Sequence, residues 1–415
     1  TPPGSTPHPR RRGRPVPLPD PKEGPLVRIP LARASAAAAA LLALPCLASV
    51  APAQTVTRIS ATLTGIEENP SLPSPARGTA DLAFDSVTGV LTCAVTSDLA
   101  AATVAHVHDG PVGVNGPIAV GLAPTGPGDF TGSGPLAAGL VTDLFREGLY
   151  VNVHSGAFPA GEIRGQIRVP TEFRSNLTAG KEVPPPPSLA TAKARFTLNQ
   201  PAGTLTYDVQ ATGLVATAAH IHRGAVGVNG PIVFPLTQTG PATFSGTTGP
   251  LTNADFVDLL TNRFYVNVHT AAFPGGEIRD QVHVGGLNVD AVRFGIPNGI
   301  ETRFFVGALP ELAGKLYWVL GSASGTAPGL VVDGLPLPLN IDSYLLFTIS
   351  NPNSALLPGS LGFTNAVGEA TGKWNVPPGA AAGLAGVVVN HAFVVFDPVL
   401  SKVVATSNAK PITIF

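Results

Sequence analysis

The sequence predicts an all-β protein, and three observations carry this prediction. Glycine and proline supply 47 and 43 of the 415 residues, while 44% of residues are hydrophobic. This combination provides many turns together with enough apolar surface for packed cores. Short segments alternate apolar and polar residues, which is the period of a half-buried strand. A unit of about 115 residues also occurs twice, a period that suits a whole domain and is too long for a solenoid.

The first 53 residues are predicted to lie outside the folded domains. Residues 1–26 are rich in proline and arginine and are interpreted as a non-native or disordered extension. Residues 27–53 read as a signal peptide, with Arg28 and Arg33 before an apolar run and Ala53 at the end of a small-residue cleavage site. The run is too short to cross a membrane. Val27 is the expected start, and cleavage near Ala53 would leave a secreted, extracellular or periplasmic, mature chain without a transmembrane segment.

Residues 54–170 and 171–286 are the two predicted domains formed by the repeat. Each begins with a hairpin whose apolar residues alternate with polar ones. In the first copy these are Ala80, Leu82, Phe84, Leu91, Cys93 and Val95; in the second, Leu205, Tyr207 and Val209 follow a turn at Gly203. Cys93 is therefore expected to be a buried, unreactive thiol. Asn253 is expected to cap a short helix of the second copy.

Residues 287–415 are predicted to form a third, sandwich-like all-β domain. Both tryptophans lie in this part, and His391 is its one histidine. Short apolar segments separated by glycine, proline and asparagine are interpreted as strands. These segments are residues 303–307, 316–320, 344–349, 387–389, 392–396 and 411–415.

The repeat contains two shared segments rich in histidine and glycine. Residues 105–118 and 219–232 are identical at eleven of fourteen positions, and each contains a His-x-His pair followed by Gly-Val-Asn-Gly-Pro. Residues 150–164 and 265–279 share Tyr-Val-Asn-Val-His and Gly-Glu-Ile-Arg. Alternate residues of a strand share one face, so His106 and His108 are expected to project together, with His154 beside them on a neighbouring strand.

Three imidazoles on one outer face can surround a metal ion such as zinc or copper. Glu162 is a candidate fourth ligand, or an acceptor that orients one of the imidazoles. The candidate ligands are His106, His108, His154 and Glu162 in the first copy, and His220, His222, His269 and Glu277 in the second. The alternative is structural: the histidines hydrogen-bond backbone groups and hold the glycine-rich loop in place. Glu162 would then form a solvated ion pair with Arg164.

Several other functions find no support in the sequence. The formal net charge is −1, and no basic patch with interleaved aromatic residues indicates a nucleic-acid partner. Gly110, Gly113 and Gly116 do not have the spacing of a nucleotide-binding loop. A Gly-x-Ser-x-Gly elbow and a Cys-x-x-Cys pair are absent from the sequence. No catalytic residues are therefore predicted, and no cofactor other than the zinc or copper.

The two shared segments resemble the CHRD domain, the module repeated in the animal protein chordin and common in bacterial secreted proteins. Both copies match its pattern, except that Asp280 replaces the closing glycine and residues 67–70 read Glu-Glu-Asn-Pro where the family shows Glu-Val-Pro-Pro, as at 182–185. The resemblance implies two tandem β-sandwich domains with Greek-key-like connections. The His-x-His strand is also similar to that of copper/zinc superoxide dismutase.

These observations favour a secreted, non-enzymatic protein with a role in extracellular binding, adhesion or structure. Its partner would be an extracellular protein or polysaccharide. The growth-factor binding of chordin is not transferred, because a shared fold does not identify a partner. The alternative is a metalloprotein with redox activity like that of superoxide dismutase, or with hydrolytic activity, at the three-histidine site.

Overall fold

The computed structural model describes residues 55–296, 299–380 and 382–415. The extension and signal peptide predicted for residues 1–53 lie outside these ranges. The described residues contain 29 β-strands and three α-helices, so the all-β class is confirmed. Strand formation follows the sequence pattern: β10, residues Thr191–Asn199, buries every second side chain. None of the helices among the described residues is long and apolar enough to span a membrane.

The first repeat folds into a single antiparallel sheet of eight strands, accompanied by one helix. Strands β1 to β8 are Thr55–Thr64, Arg77–Asp85, Val90–Ser97, Ala102–Asp109, Ile118–Gly126, Asp129–Pro135, Leu149–Ser155 and Ile163–Gln166, and helix α1 is Ala138–Phe145. Their order is β1-β2-β3-β6-β5-β4-β7-β8, and β1 also pairs with β8. Strands β4 to β6 form a meander that returns beside β3, a Greek-key arrangement. The sheet closes into a barrel, whereas the sequence predicted two stacked sheets.

The second repeat has the same strand order in a curled sheet. Strands β9 to β18 are Glu172–Thr178, Thr191–Asn199, Thr204–Thr212, Ala216–Arg223, Ile232–Pro235, Gln238–Gly240, Thr243–Thr247, Phe264–Thr270, Ile278–Gln281 and His283–Val284, and helix α2 is Asn253–Leu260. The stretch equivalent to β5 is divided here into β13 and β14, which pair with β12 and β15. Strand β18 pairs with β9 on the edge opposite β10, where β17 also pairs.

The carboxy-terminal part contains two main sheets and a hairpin. Strands β19 to β29 are Gly286–Val289, Arg293–Phe294, Ile300–Gly307, Leu316–Ser322, Leu330–Val332, Leu335–Leu337, Leu361–Phe363, Glu369–Val376, Val388–Asp397, Lys402–Thr406 and Lys410–Ile414, and helix α3 is Ser343–Ser350. One sheet has the order β19-β21-β26, and the other has the order β20-β29-β27-β22-β25 with β28 on β27. Strands β23 and β24 form the hairpin.

The strand predicted at residues 344–349 is wrong, because these residues lie in α3. Asp342 is the N-cap, and its carboxylate accepts a hydrogen bond from the backbone N–H of Leu345. A short apolar run fits a strand and a partly buried helix equally well, so the cap decides between them. The helix of the second repeat is confirmed, but its N-cap is Thr252, which forms a capping box with Asp255.

The two repeats share one apolar core. Helices α1 and α2 contact each other, and the rings of Phe145 and Phe256 stack with centroids 5.3 Å apart. Buried residues of both sheets belong to the same cluster, and Cys93 lies within it with no exposed surface. The outer faces of the sheets remain available for the histidines.

Candidate metal centre

The first sheet brings its three predicted histidines together on one outer face. Strands β4 and β7 are antiparallel neighbours, and Val107, Val151 and Val153 point into the core with no exposed surface. Residues at alternate positions therefore point outward. The nearest ring nitrogens of His106, His108 and His154 all lie within 4.8 Å of one another. The three histidines therefore lie on the face that was predicted from the alternation of side chains along a strand.

The second sheet repeats this arrangement with strands β12 and β16. His220, His222 and His269 form an equivalent group, again with ring nitrogens within 4.8 Å. In the first group, Nδ1 of His106 lies 3.3 Å from Nε2 of His154; in the second, Nδ1 of His220 lies 3.0 Å from Nε2 of His269. Two ligands that bond zinc at 2.0–2.1 Å in a tetrahedron are about 3.3 Å apart. One nitrogen pair of each group is therefore already close to the spacing of metal ligands.

Backbone carbonyl groups select the tautomer of two histidines in each group. Nδ1 of His108 is 3.0 Å from the carbonyl oxygen of Gly116, and Nδ1 of His154 is 3.1 Å from that of Pro159. The corresponding distances for His222 and His269 are both 2.9 Å. A carbonyl oxygen only accepts, so each Nδ1 carries the proton and each Nε2 keeps its lone pair. Metal-binding histidines are commonly oriented in this way.

Burial keeps all six imidazoles neutral. It lowers the pKa of each, and repulsion from His154 lowers that of His106 further, as His269 does for His220. The pKa of His220 falls to about 4. Nε2 of His108 and Nε2 of His222 are buried and have no hydrogen-bond partner. Each group thus contains a buried, unpaired lone pair on a neutral ring.

A stack of an arginine and a tyrosine supports one histidine of each group. The guanidinium of Arg164 lies 3.5 Å from the ring centroid of Tyr150, which stacks on His108 at 4.9 Å and 9°. Arg279, Tyr265 and His222 form the same stack in the second domain. Arg164 also donates hydrogen bonds to the carbonyl oxygens of Pro111 and Val114. The stack therefore ties the glycine-rich loop to the histidine strand.

The structure does not bring Glu162 or Glu277 into either histidine group. The carboxylate of Glu162 accepts hydrogen bonds from the hydroxyls of Ser74 and Ser155, at 2.7 and 2.5 Å. Glu277 accepts them from Ser188 and Thr270, both at 2.6 Å. The expected ion pair of Glu162 with Arg164 is also replaced, since Arg164 bonds the glycine-rich loop, lies over Tyr150 and has Glu68 and Glu67 as its nearby charges. These carboxylates fasten loops beside the site.

An asparagine and a second glutamate adjoin each group, and the sequence analysis did not identify them. Asn152 is 4% exposed, and its Oδ1 has no hydrogen-bond partner. Its amide hydrogen-bonds the buried carboxyl of Glu68, whose pKa is raised to about 7 by burial. Asn267 and Glu182 repeat this pair. The available signal was the position of Asn152, two residues before His154 on one strand and therefore on the same face.

One domain family matches both repeats of the chain. The family model described as CHRD domain matches residues 59–167 and 173–282, which together are more than half of the chain. No curated protein matches the sequence. The two matched segments contain all six clustered histidines and both Asn–Glu pairs. The chain belongs to the CHRD domain family, of which it carries two tandem copies.

Proposed function

We propose that each CHRD domain of this chain binds one divalent transition-metal ion, zinc or copper, through three neutral imidazoles. The observation that carries this proposal is the fixed tautomer of two histidines in each group. Their Nδ1–H groups donate to backbone carbonyls, and their Nε2 lone pairs are left for the group itself. Imidazole nitrogen is a preferred ligand of both metals.

A purely structural role explains less of the geometry. A proton on Nδ1 of His106 could be donated to Nε2 of His154 and would satisfy that pair without a metal. It would still leave Nε2 of His108, and Nε2 of His222 in the second domain, buried without a partner. An unsatisfied buried polar atom costs about 1–3 kcal/mol. A bound cation gives both nitrogens a partner.

Metal content of the purified protein tests this proposal. The full chain, purified with a tag that lacks histidine, should hold two zinc or copper ions. His108→Ala should reduce the stoichiometry to one, and His108→Ala with His222→Ala should reduce it to none. His283→Ala is the matched control, because His283 lies outside both groups, and it should still hold two ions. The proposal is wrong if the wild-type protein carries no metal and melts at one temperature with excess metal and with chelator.

We further propose that the protein is exported and acts outside the cytoplasm without enzymatic activity. Support for export is the signal-peptide pattern of residues 27–53. Support for a non-enzymatic role is the use of the nearby polar side chains, Glu162 and Arg164 among them, to fasten loops. An extracellular protein or polysaccharide remains the proposed partner class.

Export predicts a defined amino terminus. Protein recovered from the medium or periplasm should begin at Gln54, because the small-residue site ends at Ala53. Intact-mass measurement of the recovered protein checks this expectation, and Ala53→Gln should block cleavage at this position. Recovery of a chain that still contains residues 27–53 would contradict it.

A further inference from the structure

We propose that the side-chain oxygen of Asn152, and that of Asn267 in the second domain, is the fourth ligand of each metal ion. Glu68 and Glu182 are positioning residues that hold these two amides. The inference rests on the metal binding proposed above and specifies its coordination. Three imidazole nitrogens and one amide oxygen form a closed shell that suits Zn²⁺ or Cu²⁺, whereas Cu⁺ prefers softer sulfur ligands.

The position of Asn152 places it within reach of the group. It is directly opposite His106 in the pairing of β4 with β7, and it precedes His154 by two residues on β7. Directly opposed residues of a strand pair, and alternate residues of one strand, share a face. The side chain is 4% exposed and its Oδ1 has no partner. The first domain therefore presents a buried acceptor beside three imidazoles.

The second domain shows two acceptors facing each other. Oδ1 of Asn267 lies 3.0 Å from Nε2 of His269, while Nδ1 of the same ring lies 2.9 Å from the carbonyl oxygen of Pro274. A neutral imidazole has a single N–H, so it cannot donate to both oxygens. With the proton on Nδ1, the lone pairs of Nε2 and Oδ1 oppose each other in a buried site. A cation bound to both atoms turns this repulsion into attraction.

Glutamate and glycine residues hold the amide in this orientation. The Asn152 amide hydrogen-bonds Glu68, and the Asn267 amide hydrogen-bonds Glu182. A Cβ atom on Gly161 would lie 2.4 Å from Nδ2 and 2.6 Å from Oδ1 of Asn152, and 2.7 Å from Oε1 of Glu68. The backbone at Gly161 thus packs directly against the pair. The glutamate carboxyl faces the amide nitrogen, and Oδ1 of Asn152 is the acceptor left without a partner.

The pH dependence of the cobalt-substituted protein distinguishes a closed shell from an open one. A three-histidine site with an open position binds water, which loses a proton near pH 7 in zinc enzymes. The experiment uses His222→Ala, in which only the first site is loaded, with Co²⁺ in place of zinc. Its visible spectrum should stay constant across neutral and mildly alkaline pH. Asn152→Leu in the same background should gain a titration, because water takes the vacant position.

Zinc affinity provides the second measurement. Asn152→Leu should weaken Zn²⁺ binding at this site by at least about tenfold, whereas Asn152→Asp retains an oxygen ligand and should bind. Glu68→Leu should weaken binding, and Glu68→Gln should restore it, since a glutamine oxygen still accepts from the amide. Gln200→Leu is the matched control: its buried side chain accepts from the backbone N–H of Val169 and belongs neither to a histidine group nor to a glycine-rich loop, so zinc affinity should change less than threefold.

Two outcomes would overturn the inference while leaving metal binding intact. One is a spectral titration in the protein that retains Asn152, which would show a bound water and an open site. The other is an unchanged zinc affinity in Asn152→Leu, which would indicate an amide turned to donate its N–H to the histidine, with a protonated glutamate as its partner. A protein that binds neither Co²⁺ nor Zn²⁺ contradicts the proposed function itself.

Discussion

Gly161 shows how closely single residues are constrained around the histidine groups. Its φ angle is +129°, a conformation that side chains rarely adopt, and Gly276 repeats it at +127°. A Cβ atom on either residue would also collide with an asparagine–glutamate pair. Both the backbone conformation and the available space therefore require glycine in the Gly-Glu-Ile-Arg segment.

Gly161→Ala should destabilise the first domain and weaken its metal binding. Backbone strain of this kind costs about 1–3 kcal/mol, and the new methyl group would push Asn152 and Glu68 away from the site. Urea unfolding and zinc titration measure the two effects. Gly156→Ala is the control, since no atom lies within 4 Å of its added Cβ and its φ angle is not positive. Equal stability and affinity in the two variants would contradict the argument.

At the residue scale, the sequence predicts which face of a strand a side chain occupies better than it predicts the hydrogen-bond partners of that side chain. The valines that alternate with His106, His108 and His154 fixed the buried side of each strand, so the outward face of the histidines could be derived. The partners of Glu162 could not be derived, because Ser74 comes from a loop far away in the sequence. The same holds for Glu68, which reaches Asn152 only after the barrel closes.

At the scale of elements, the glycine-rich loop acts as an ordered cover. Arg164 donates to Asn115 Oδ1 as well as to two loop carbonyls, and Asn115 Nδ2 donates to the carbonyl oxygen of Asn69. The loop thereby links β4 with β8 and with the segment that follows β1. Its Gly116 carbonyl is in turn the group that orients His108. The order of the loop and the tautomer of the histidine are therefore two results of one network.

Periodicity alone could not assign every element. It predicted the hairpins of the repeats, because a long alternation of apolar and polar residues is compatible only with a strand. It failed at α3, where a six-residue segment with five apolar residues lacks a clear period and the decisive signal is the N-cap Asp342. It also could not show that β1 pairs with β8, since closure depends on sheet curvature and not on any single strand.

At the scale of the whole molecule, His391 couples stability to pH. It lies in the carboxy-terminal part of the chain with no exposed surface, and burial lowers its pKa to about 3. In the unfolded chain the pKa of histidine is near 6.5. Between these two pH values the unfolded state binds one more proton than the folded state. The free energy of unfolding therefore decreases as the pH falls from about 6.5 towards 3.

His391→Gln should remove this contribution and keep a hydrogen bond to the hydroxyl of Tyr344, which lies 2.9 Å from the histidine Nε2. The wild-type protein should lose about 1.4 kcal/mol more per pH unit than the variant below pH 6, the effect of one proton. Urea unfolding at several pH values with chelator present measures the difference. Parallel pH dependences in the two proteins would show that His391 is already protonated when folded.

The closure of the first sheet has a consequence for how this domain meets other chains. An open sheet ends in strands whose unpaired N–H and C=O groups can bind a further strand, which is a common origin of aggregation and domain swapping. In the first domain β1 and β8 pair with each other, so the order of strands has no end. The closing contacts are the pair Thr64–Arg164 and the bridge Ser60–Arg168, so less edge is open to a foreign strand here than in an open sheet. The loop over the histidines offers a different kind of surface, with Val112 and Val114 41% and 49% exposed.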